Sequence, residues 1–284
     1  MTISIIIPAK NEHQGLAQSL PELKRLYPEA EILVINDGSI DRTSEIASSL
    51  GAKVLSQPYS KGNGAAIKAG ARVAQGDILV FMDADGQHQP TDIQNLLEKL
   101  NSGYDMVVGS RNRSGQAGWY RASANNIYNW LASWMTGHKI EDLTSGFRAV
   151  KAGNFRKFLY LLPNGFSYPT TITMCFFRAG YTVGYVPIDM PKRIGKSHLR
   201  IWRDGLRFLL IIFRIATLYS PLKLFAPISG LFFITGITYY LYTYVEYHRF
   251  TNMSALLFIT SILVLLIGLV SEQITMLNYR DSEK

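Results

Sequence analysis

The chain has 284 residues, 48% hydrophobic and 18% charged, with a formal net charge of +8 at pH 7, a balance that excludes a disordered tail or a collagen-like repeat. Its single cysteine, Cys175, excludes an intrachain disulfide and a Cys-rich zinc site and fits a reducing, cytosol-facing setting. The surplus of Lys and Arg suits nucleic acid, anionic lipid or a phosphorylated substrate alike, so position along the chain has to choose.

Residues 3–7 form an apolar run that predicts a strand. Pro8, Lys10, Asn11 and Glu12 break it at once, so it is too short for a signal peptide, and the first two hundred residues are expected to stay in the cytoplasm. Further β-rich runs follow at 31–35, 53–55, 77–82 and 106–108, separated by helical patterns over 12–26, 41–50, 64–74 and 91–100. This alternation predicts an α/β domain with a Rossmann-like, mainly parallel sheet. Open sheets of that kind bind ligands beyond the carboxyl ends of their strands.

After the first strand stands Pro8-Ala9-Lys10-Asn11-Glu12, where a dinucleotide fold needs a glycine-rich turn and a Walker loop needs Gly-Lys-Ser/Thr. Both nucleotide motifs are absent at this place. Gly62-Asn63-Gly64, with Lys61, reads equally as a flexible turn before a helix or as a loop that lets backbone approach a phosphate. Asp83-Ala84-Asp85 follows the fourth run directly, and carboxylates two apart on extended chain project to one side. Two such charges call for a cation between them, and Gln87 adds a neutral oxygen, a set that suits Mg²⁺ or Mn²⁺. Asp-x-Asp is also common in solvated turns; its place at a strand end is what lifts it.

Residues 199–219 carry Arg200, Arg203, Arg207 and Arg214 within roughly a 60° arc of a helix, with Trp202, Leu206, Leu209, Ile212, Phe213 and Ala216 on the other side. That is a basic amphipathic helix suited to the bilayer surface, or else a solvated face over a core. Two uncharged stretches follow, 224–245 and 250–271, each long enough to cross a hydrocarbon core of about 30 Å. Joined by the short piece 246–249, they predict a membrane hairpin rather than two buried core helices. The arginines before it, with Lys223, and Arg280 and Lys284 after it, outnumber Arg249 in the turn, so both ends are expected in the cytoplasm. The expected organisation is a catalytic domain 1–198, a juxtamembrane helix 199–221, two transmembrane helices 222–278 and a cytoplasmic tail 279–284.

Residues 5–12, then Val34-Ile35-Asn36-Asp37-Gly38-Ser39, then Asp83-Ala84-Asp85-Gly86-Gln87, in that order, resemble the family 2 glycosyltransferases of GT-A fold. Gly109-Ser110-Arg111, Thr144-Ser145-Gly146-Phe147-Arg148 and Arg193-Ile194-Gly195-Lys196-Ser197 are similar to the branch with dolichol-phosphate mannose synthase and bacterial polyprenyl-phosphate glycosyltransferases. The resemblance implies that Pro8, Lys10, Glu12, Ile35 and Asp37 line a nucleotide pocket. It implies that Asp83, Asp85 and Gln87 hold the metal, with Ala84 beside the diphosphate. Arg111 and Arg193 would face donor or acceptor phosphates, and Arg121, Ser145, Lys196 and Ser197 would border the acceptor. Asn36 stands where many relatives have a first Asp, which leaves the base open, and His198 stands where mannose synthases tend to have Lys.

Read as residues alone, Asp37 is also a turn or N-cap carboxylate, and Arg111, Arg121 and Arg148 are also solvated or ion-paired arginines. Asp142 either orients the acceptor region or caps a turn. His88, His138 and His248 read as ordinary polar residues. The resemblance implies metal-dependent, inverting transfer of a hexose from a nucleotide sugar to a polyprenyl phosphate (undecaprenyl or dolichyl), catalysed by Asp83, Asp85 and Arg111. The competing readings are a membrane-bound glycosyltransferase acting on a saccharide or glycolipid, and a non-catalytic membrane scaffold; a nucleotidyltransferase would want a glycine-rich loop where Pro8 to Glu12 stands. Nucleic acid is not expected as a partner, because the basic residues track the bilayer edge and no reader motif occurs. Self-association into a homo-oligomer is compatible with a small hairpin anchor.

Overall fold

The isoleucine run near the start becomes β1 (Ile3–Ala9), whose Ile5, Ile6 and Ile7 are fully buried. Burial on both faces is what a parallel strand covered by helices requires, and it explains why the run lacks alternation. The structure, a computed structural model, describes residues 1–111, 119–165, 167–189, 213, 217 and 219–280, without the side chains of 119–125, 278 and 280. By chain contacts it divides into two units, Met1–Ile201 and Trp202–Lys284.

In the first unit β2 (Glu31–Asn36) and β4 (Ile78–Phe81) pair in parallel with the two edges of β1, and β3 (Lys53–Ser56) pairs in parallel with β2. Helices α1 (His13–Leu26), α2 (Thr43–Ser49), α3 (Asn63–Val73) and α4 (Asp92–Asn101) alternate with these strands. Each buries a helical stripe: Leu16, Leu20 and Leu23 on α1, and Ile93, Leu96 and Leu100 on α4. On α3 the packed positions are small, Ala66, Gly70 and Ala71, so this helix lies close to the sheet; a Cβ at Gly70 would meet Ile6 and Ile35.

The sheet is mainly parallel, as expected, but beyond β4 it takes in two strands that no local pattern announces. Its seven strands run in the order β3-β2-β1-β4-β6-β5-β7. Between β4 and β5 (Met106–Arg111) lies β6 (Arg148–Lys151), antiparallel to both. The edge is β7 (Val183–Ile188), parallel to β5. The sheet is therefore mixed. Neither extra strand has a local signature: β6 is four residues with a basic residue at each end, and β7 contains Gly184 and Pro187, which belong at a sheet edge. Helices α5 (Trp119–Thr136), α6 (Ala152–Arg156) and α7 (Tyr168–Arg178) complete the unit.

The second unit contains α8 (Pro221–Tyr247) and α9 (Asn252–Arg280), antiparallel and joined by a short turn in which His248 takes a left-handed conformation (φ 49°). Both are longer than the expected spans 224–245 and 250–271, and the second begins two residues later. Only 11% and 17% of their most apolar windows are buried, whereas a core helix of a water-soluble protein would be mostly covered. The outward-facing Leu231, Ile234, Leu263 and Val270 leave the open sides of both helices apolar, which makes the pair candidate membrane spans. Where the helices touch, Ser229 Oγ donates to the Ser261 carbonyl (2.8 Å) and Ser261 Oγ to the Ser229 carbonyl (2.9 Å), with Gly236 against Phe258 and Gly268 against Phe225. Small residues at the seam and polar glue are how helices associate without a hydrophobic driving force. The expected basic helix at 199–219 falls outside the described residues apart from Phe213, Thr217 and Tyr219.

Candidate active site

The chain leaves β1 toward β2 on one side and later returns to place β4 on the other, so the carboxyl ends of β1 and β4 flank a topological switch point. The segments that follow those two strands are Pro8-Ala9-Lys10-Asn11-Glu12 and Asp83-Ala84-Asp85. They open on a cavity of about 530 Å³, lined also by Asp37, Ser60, Gly62, Asn63, Gln87, Thr144, Gly146 and Tyr168. That volume is in the range of sites that enclose a small organic ligand.

Each wall is fixed from behind. Asp37, at the end of β2, is 4% exposed and accepts from Ser60 Oγ (2.7 Å) and from the N–H groups of Lys61 (2.7 Å) and Gly62 (3.0 Å). Lys10 Nζ donates to the same Ser60 hydroxyl (3.1 Å). Gly38 makes the turn: its φ is +65°, and a Cβ there would strike the Tyr59–Ser60 backbone. The segment after β1 is tied down by Asn11, which donates from its N–H to Ser39 Oγ and accepts from the Ile40 N–H, both at 3.0 Å. Asn36 faces away from the cavity, with its amide bonded to Ser56 Oγ and to the Ser39 N–H.

On the β4 side, a Cβ at Gly15 would collide with the Ala84 carbonyl, so the first turn of α1 approaches the Asp83–Asp85 backbone directly. Asp85 Oδ1 accepts the Gln87 N–H (3.1 Å), which turns Gln87 toward the cavity. Behind Asp83 lies His88, 4% exposed, whose Nδ1 accepts the Asp83 N–H (3.0 Å) and whose ring stacks on Phe147. His88 does not line the cavity but holds the Asp83 backbone from behind. Its sequence signal was its place five residues after Asp83.

The third wall comes from the segment before β6. Asp142 receives Arg111 Nε on one oxygen (2.7 Å) and Arg111 Nη2 on the other (3.0 Å), while also accepting the N–H groups of Thr144 (3.0 Å) and Ser145 (3.1 Å). Asp142 thereby both caps the turn and holds Arg111. Burial works against the Arg111 charge, but Asp142 outweighs it and the guanidinium sits above its usual value. Ser145 is 3% exposed, between the cavity-lining Thr144 and Gly146, and its hydroxyl has no hydrogen-bond partner among the described residues. Among the described residues Arg148 has no ion-pair partner, and it is not solvated. It is fully buried, donates to the carbonyls of Ser145 and Pro169 and to Thr173 Oγ1, and burial depresses its pKa.

Of the residues singled out from sequence, Pro8, Lys10, Glu12, Asp37, Asp83, Ala84, Asp85 and Gln87 meet on one cavity. Gly62 and Asn63, from the loop read as a turn or a phosphate cradle, join them. Ile35, Arg111 and Ser145 do not line it: Ile35 is fully buried in β2, paired with Pro8 and Leu55, and Arg111 and Ser145 lie behind the third wall with Asp142. Arg121 lies on α5 with its side chain outside the description, and Arg193, Lys196 and Ser197 lie outside the described residues. Ser60, Thr144 and Tyr168 were not foreseen as lining residues; their contribution arises from chain crossings with no local motif.

Among the described residues no three His, Cys, Asp or Glu side chains gather as a metal cluster. The donor set is two carboxylates and an amide oxygen on one wall. Gly146 leaves room beside Asp83, since a Cβ there would sit 3.1 Å from Asp83 Oδ2. Such a set fits a hard divalent ion that takes its remaining ligands from water and a substrate phosphate.

A mixed sheet with carboxylates beyond β4 and an apolar hairpin in the same chain defines a membrane-associated α/β enzyme. The family model for glycosyl transferase family 2 matches residues 4–164, and that of the GtrB C-terminal hairpin matches 220–277. An undecaprenyl-phosphate mannosyltransferase of Micrococcus luteus is 32% identical over 70% of this chain and 88% of its own. A dolichyl-phosphate hexose transferase of Haloferax volcanii is 30% identical over 72% of this chain and 89% of its own. Glucosyl-3-phosphoglycerate synthase from Mycobacterium tuberculosis, crystallised with Mn²⁺, UDP and glucosyl-3-phosphoglycerate, superposes with a TM-score of 0.61 over 76% of this chain and 78% of that one, at 20% identity, a likeness of fold. The chain belongs to glycosyl transferase family 2 and is a glycosyltransferase of GT-A fold.

Proposed function

We propose that this enzyme transfers a hexose from a nucleotide sugar to a polyprenyl phosphate, undecaprenyl or dolichyl, at the cytoplasmic face of a membrane. The observation that carries the reading is the convergence of Asp83 and Asp85 with Lys10 and Asp37 on one cavity, in a chain that also carries two lipid-facing helices. The relatives named for undecaprenyl- and dolichyl-phosphate transfer support the acceptor class.

In this reading the residues Pro8, Lys10, Glu12 and Asp37 seat the nucleotide, Ile35 supporting them from within β2. Asp83, Asp85 and Gln87 would hold Mg²⁺ or Mn²⁺, which as a Lewis acid offsets charge on the departing diphosphate. Structural neighbours crystallised with Mn²⁺ or Mg²⁺ support a divalent ion. Arg111, fixed by Asp142, places a permanent positive charge beside the phosphates, and the unpartnered Ser145 hydroxyl supplies a donor to the acceptor phosphate. Arg121, Arg193, Lys196 and Ser197 complete the acceptor side.

One phosphate oxygen of the acceptor forms a bond to the anomeric carbon as the bond to the nucleoside diphosphate breaks, a single displacement with inversion. A phosphate monoester with a second pKa near ~6 is already ionised at neutral pH, so the attack needs no strong protein base. The test is incubation of the purified full chain with a panel of nucleotide sugars, Mg²⁺ or Mn²⁺ and polyprenyl phosphate, followed by mass analysis of the lipid. A glycosylated polyprenyl phosphate is expected. Folded protein that glycosylates no polyprenyl phosphate from any donor overturns the reading.

A further inference from the structure

One cation of the third wall has no part in the reaction described above. Arg148 stands in β6 between Phe81 of β4 and Val108 of β5, and its side chain is fully buried. Nη2 donates to the Ser145 carbonyl, and Nη1 donates to the Pro169 carbonyl (3.2 Å) and to Thr173 Oγ1 (3.2 Å). Ser145 belongs to the segment whose Thr144 and Gly146 line the cavity, and Pro169 lines it from the first turn of α7, beside Tyr168. A single guanidinium therefore ties together two chain segments of that wall. A longer bond between the same segments runs from the Tyr168 hydroxyl to the Gly146 carbonyl (3.4 Å).

Stability alone does not call for an arginine here. Burial penalises the charge, no carboxylate lies within ion-pair reach among the described residues, and Nε has no hydrogen-bond partner there. An apolar side chain of similar volume is often no less stable at such a place. What only the arginine brings is a forked donor with a charge that persists at neutral pH even when burial lowers its pKa. Arg111, by contrast, is held against the Asp142 carboxylate at 2.7 Å, a pair that aims a donor but carries little net charge. The field of Arg148 reaches both Asp83 and Asp142, through protein that screens it far less than water would. Gly146, two residues before Arg148, is also where the wall comes closest to Asp83, since a Cβ there would sit 3.1 Å from Oδ2. We propose that Arg148 is a positioning residue for the anionic substrates: it fixes residues 144–146 against the first turn of α7 and gives that wall an uncancelled positive charge, which favours the donor diphosphate without touching it. The inference rests on the nucleotide-sugar reading of the cavity.

The full chain in detergent is titrated with UDP and with GDP in the presence of Mg²⁺, and the one that binds is compared with its monophosphate and its nucleoside. The comparison is made in wild type, Arg148→Met, Arg148→Gln and Arg148→Lys. Methionine and glutamine remove the charge, glutamine keeping a donor for one carbonyl; lysine keeps the charge and gives up the fork. Without the charge, diphosphate affinity is expected to fall about tenfold, monophosphate affinity less, and nucleoside affinity not at all. In Arg148→Lys, diphosphate affinity is expected within about threefold of wild type while turnover drops about tenfold, because an ammonium does not reproduce the geometry of the fork. Equal weakening of diphosphate and nucleoside in Arg148→Gln would reduce Arg148 to a structural tie, and unchanged binding of all three ligands would remove its charge from the site. Either result overturns the proposal. Should Arg148→Met fail to fold, the order of diphosphate affinity, lysine above glutamine, decides; loss of the folded state in all three variants would assign Arg148 to the fold and also overturn it. Wild type that binds neither UDP nor GDP sinks the nucleotide-sugar reading and this inference with it. Wild type that binds one of them, with the lysine and glutamine variants alike, sinks this inference alone.

Discussion

The backbone N–H of Asp83 donates to Nδ1 of His88 over 3.0 Å, and the imidazole lies on Phe147 with ring centroids 4.8 Å apart and planes 20° from parallel. Burial pushes the imidazole down to about 4, so across the neutral range Nδ1 is an unprotonated acceptor and the backbone at Asp83 has one position. His88→Phe keeps a flat ring against Phe147 but removes the acceptor. The buried N–H then loses its partner, which costs about 1–3 kcal/mol and is read as a lower denaturation midpoint. Turnover should fall about 10- to 100-fold, as for a group that orients a first ligand. A variant with unchanged midpoint and rate would show that His88 only fills space.

Asp83→Asn and Asp85→Asn keep shape and remove charge. Each is expected to lower turnover by about 100-fold or more, with saturation shifted to higher Mg²⁺ or Mn²⁺. Circular dichroism should be unaltered, because both side chains face the cavity and not the core. Full activity in either variant would remove the carboxylates from the reaction.

Asp37 accepts three hydrogen bonds that close the loop 60–62 over one end of the cavity. In Asp37→Asn one carboxylate oxygen becomes an amide NH2 group, a donor that confronts another donor. The loop loses a charge-assisted bond of about 1.5–3 kcal/mol, so the donor KM should rise about tenfold or more. The acceptor KM should not change. A change confined to the acceptor would place Asp37 on the wrong substrate.

The Arg111–Asp142 pair predicts a pH dependence. Burial alone would raise Asp142, but the Arg111 hydrogen bonds and charge and the N–H groups of Thr144 and Arg111 outweigh it, and the carboxyl lies below its ordinary 3.8. A folded pKa below the unfolded one binds fewer protons in the native state, so the stability it contributes is complete above about pH 4 and is lost as pH falls through the folded value. Asp142→Asn leaves the half-buried Arg111 without its carboxylate and should cost about 1–3 kcal/mol at pH 7. The gap between variant and wild type should narrow in acid. A gap that stays constant from pH 7 down to pH 3 would contradict the pairing.

The strands that build the first two walls were legible because their signal is local. Ile3–Ala9 and Ile78–Phe81 are apolar runs too short for helices and bounded by polar residues, and the motifs after them needed only the rule that such sheets bind beyond their carboxyl ends. The hairpin was legible for the same reason, since the length of an uncharged run is a property of the sequence alone. Ile35 lies within β2 opposite Pro8 and is fully covered, so it backs the lining and does not reach the cavity that opens beyond the strand end.

Only the tertiary structure inserted β6 antiparallel between β4 and β5, since four residues flanked by Arg148 and Lys151 carry no period of their own. That insertion brings Thr144 and Gly146 to the cavity, buries Arg148 against three carbonyl and hydroxyl oxygens, sets Phe147 under His88 and puts Asp142 against Arg111. These contacts join residues remote in sequence through strand pairing. Local pattern therefore determined β1 to β5, α1 to α4, the hairpin and the first two walls of the site, and chain crossing decided the third, because the partners of a buried charge are chosen by which strands lie side by side.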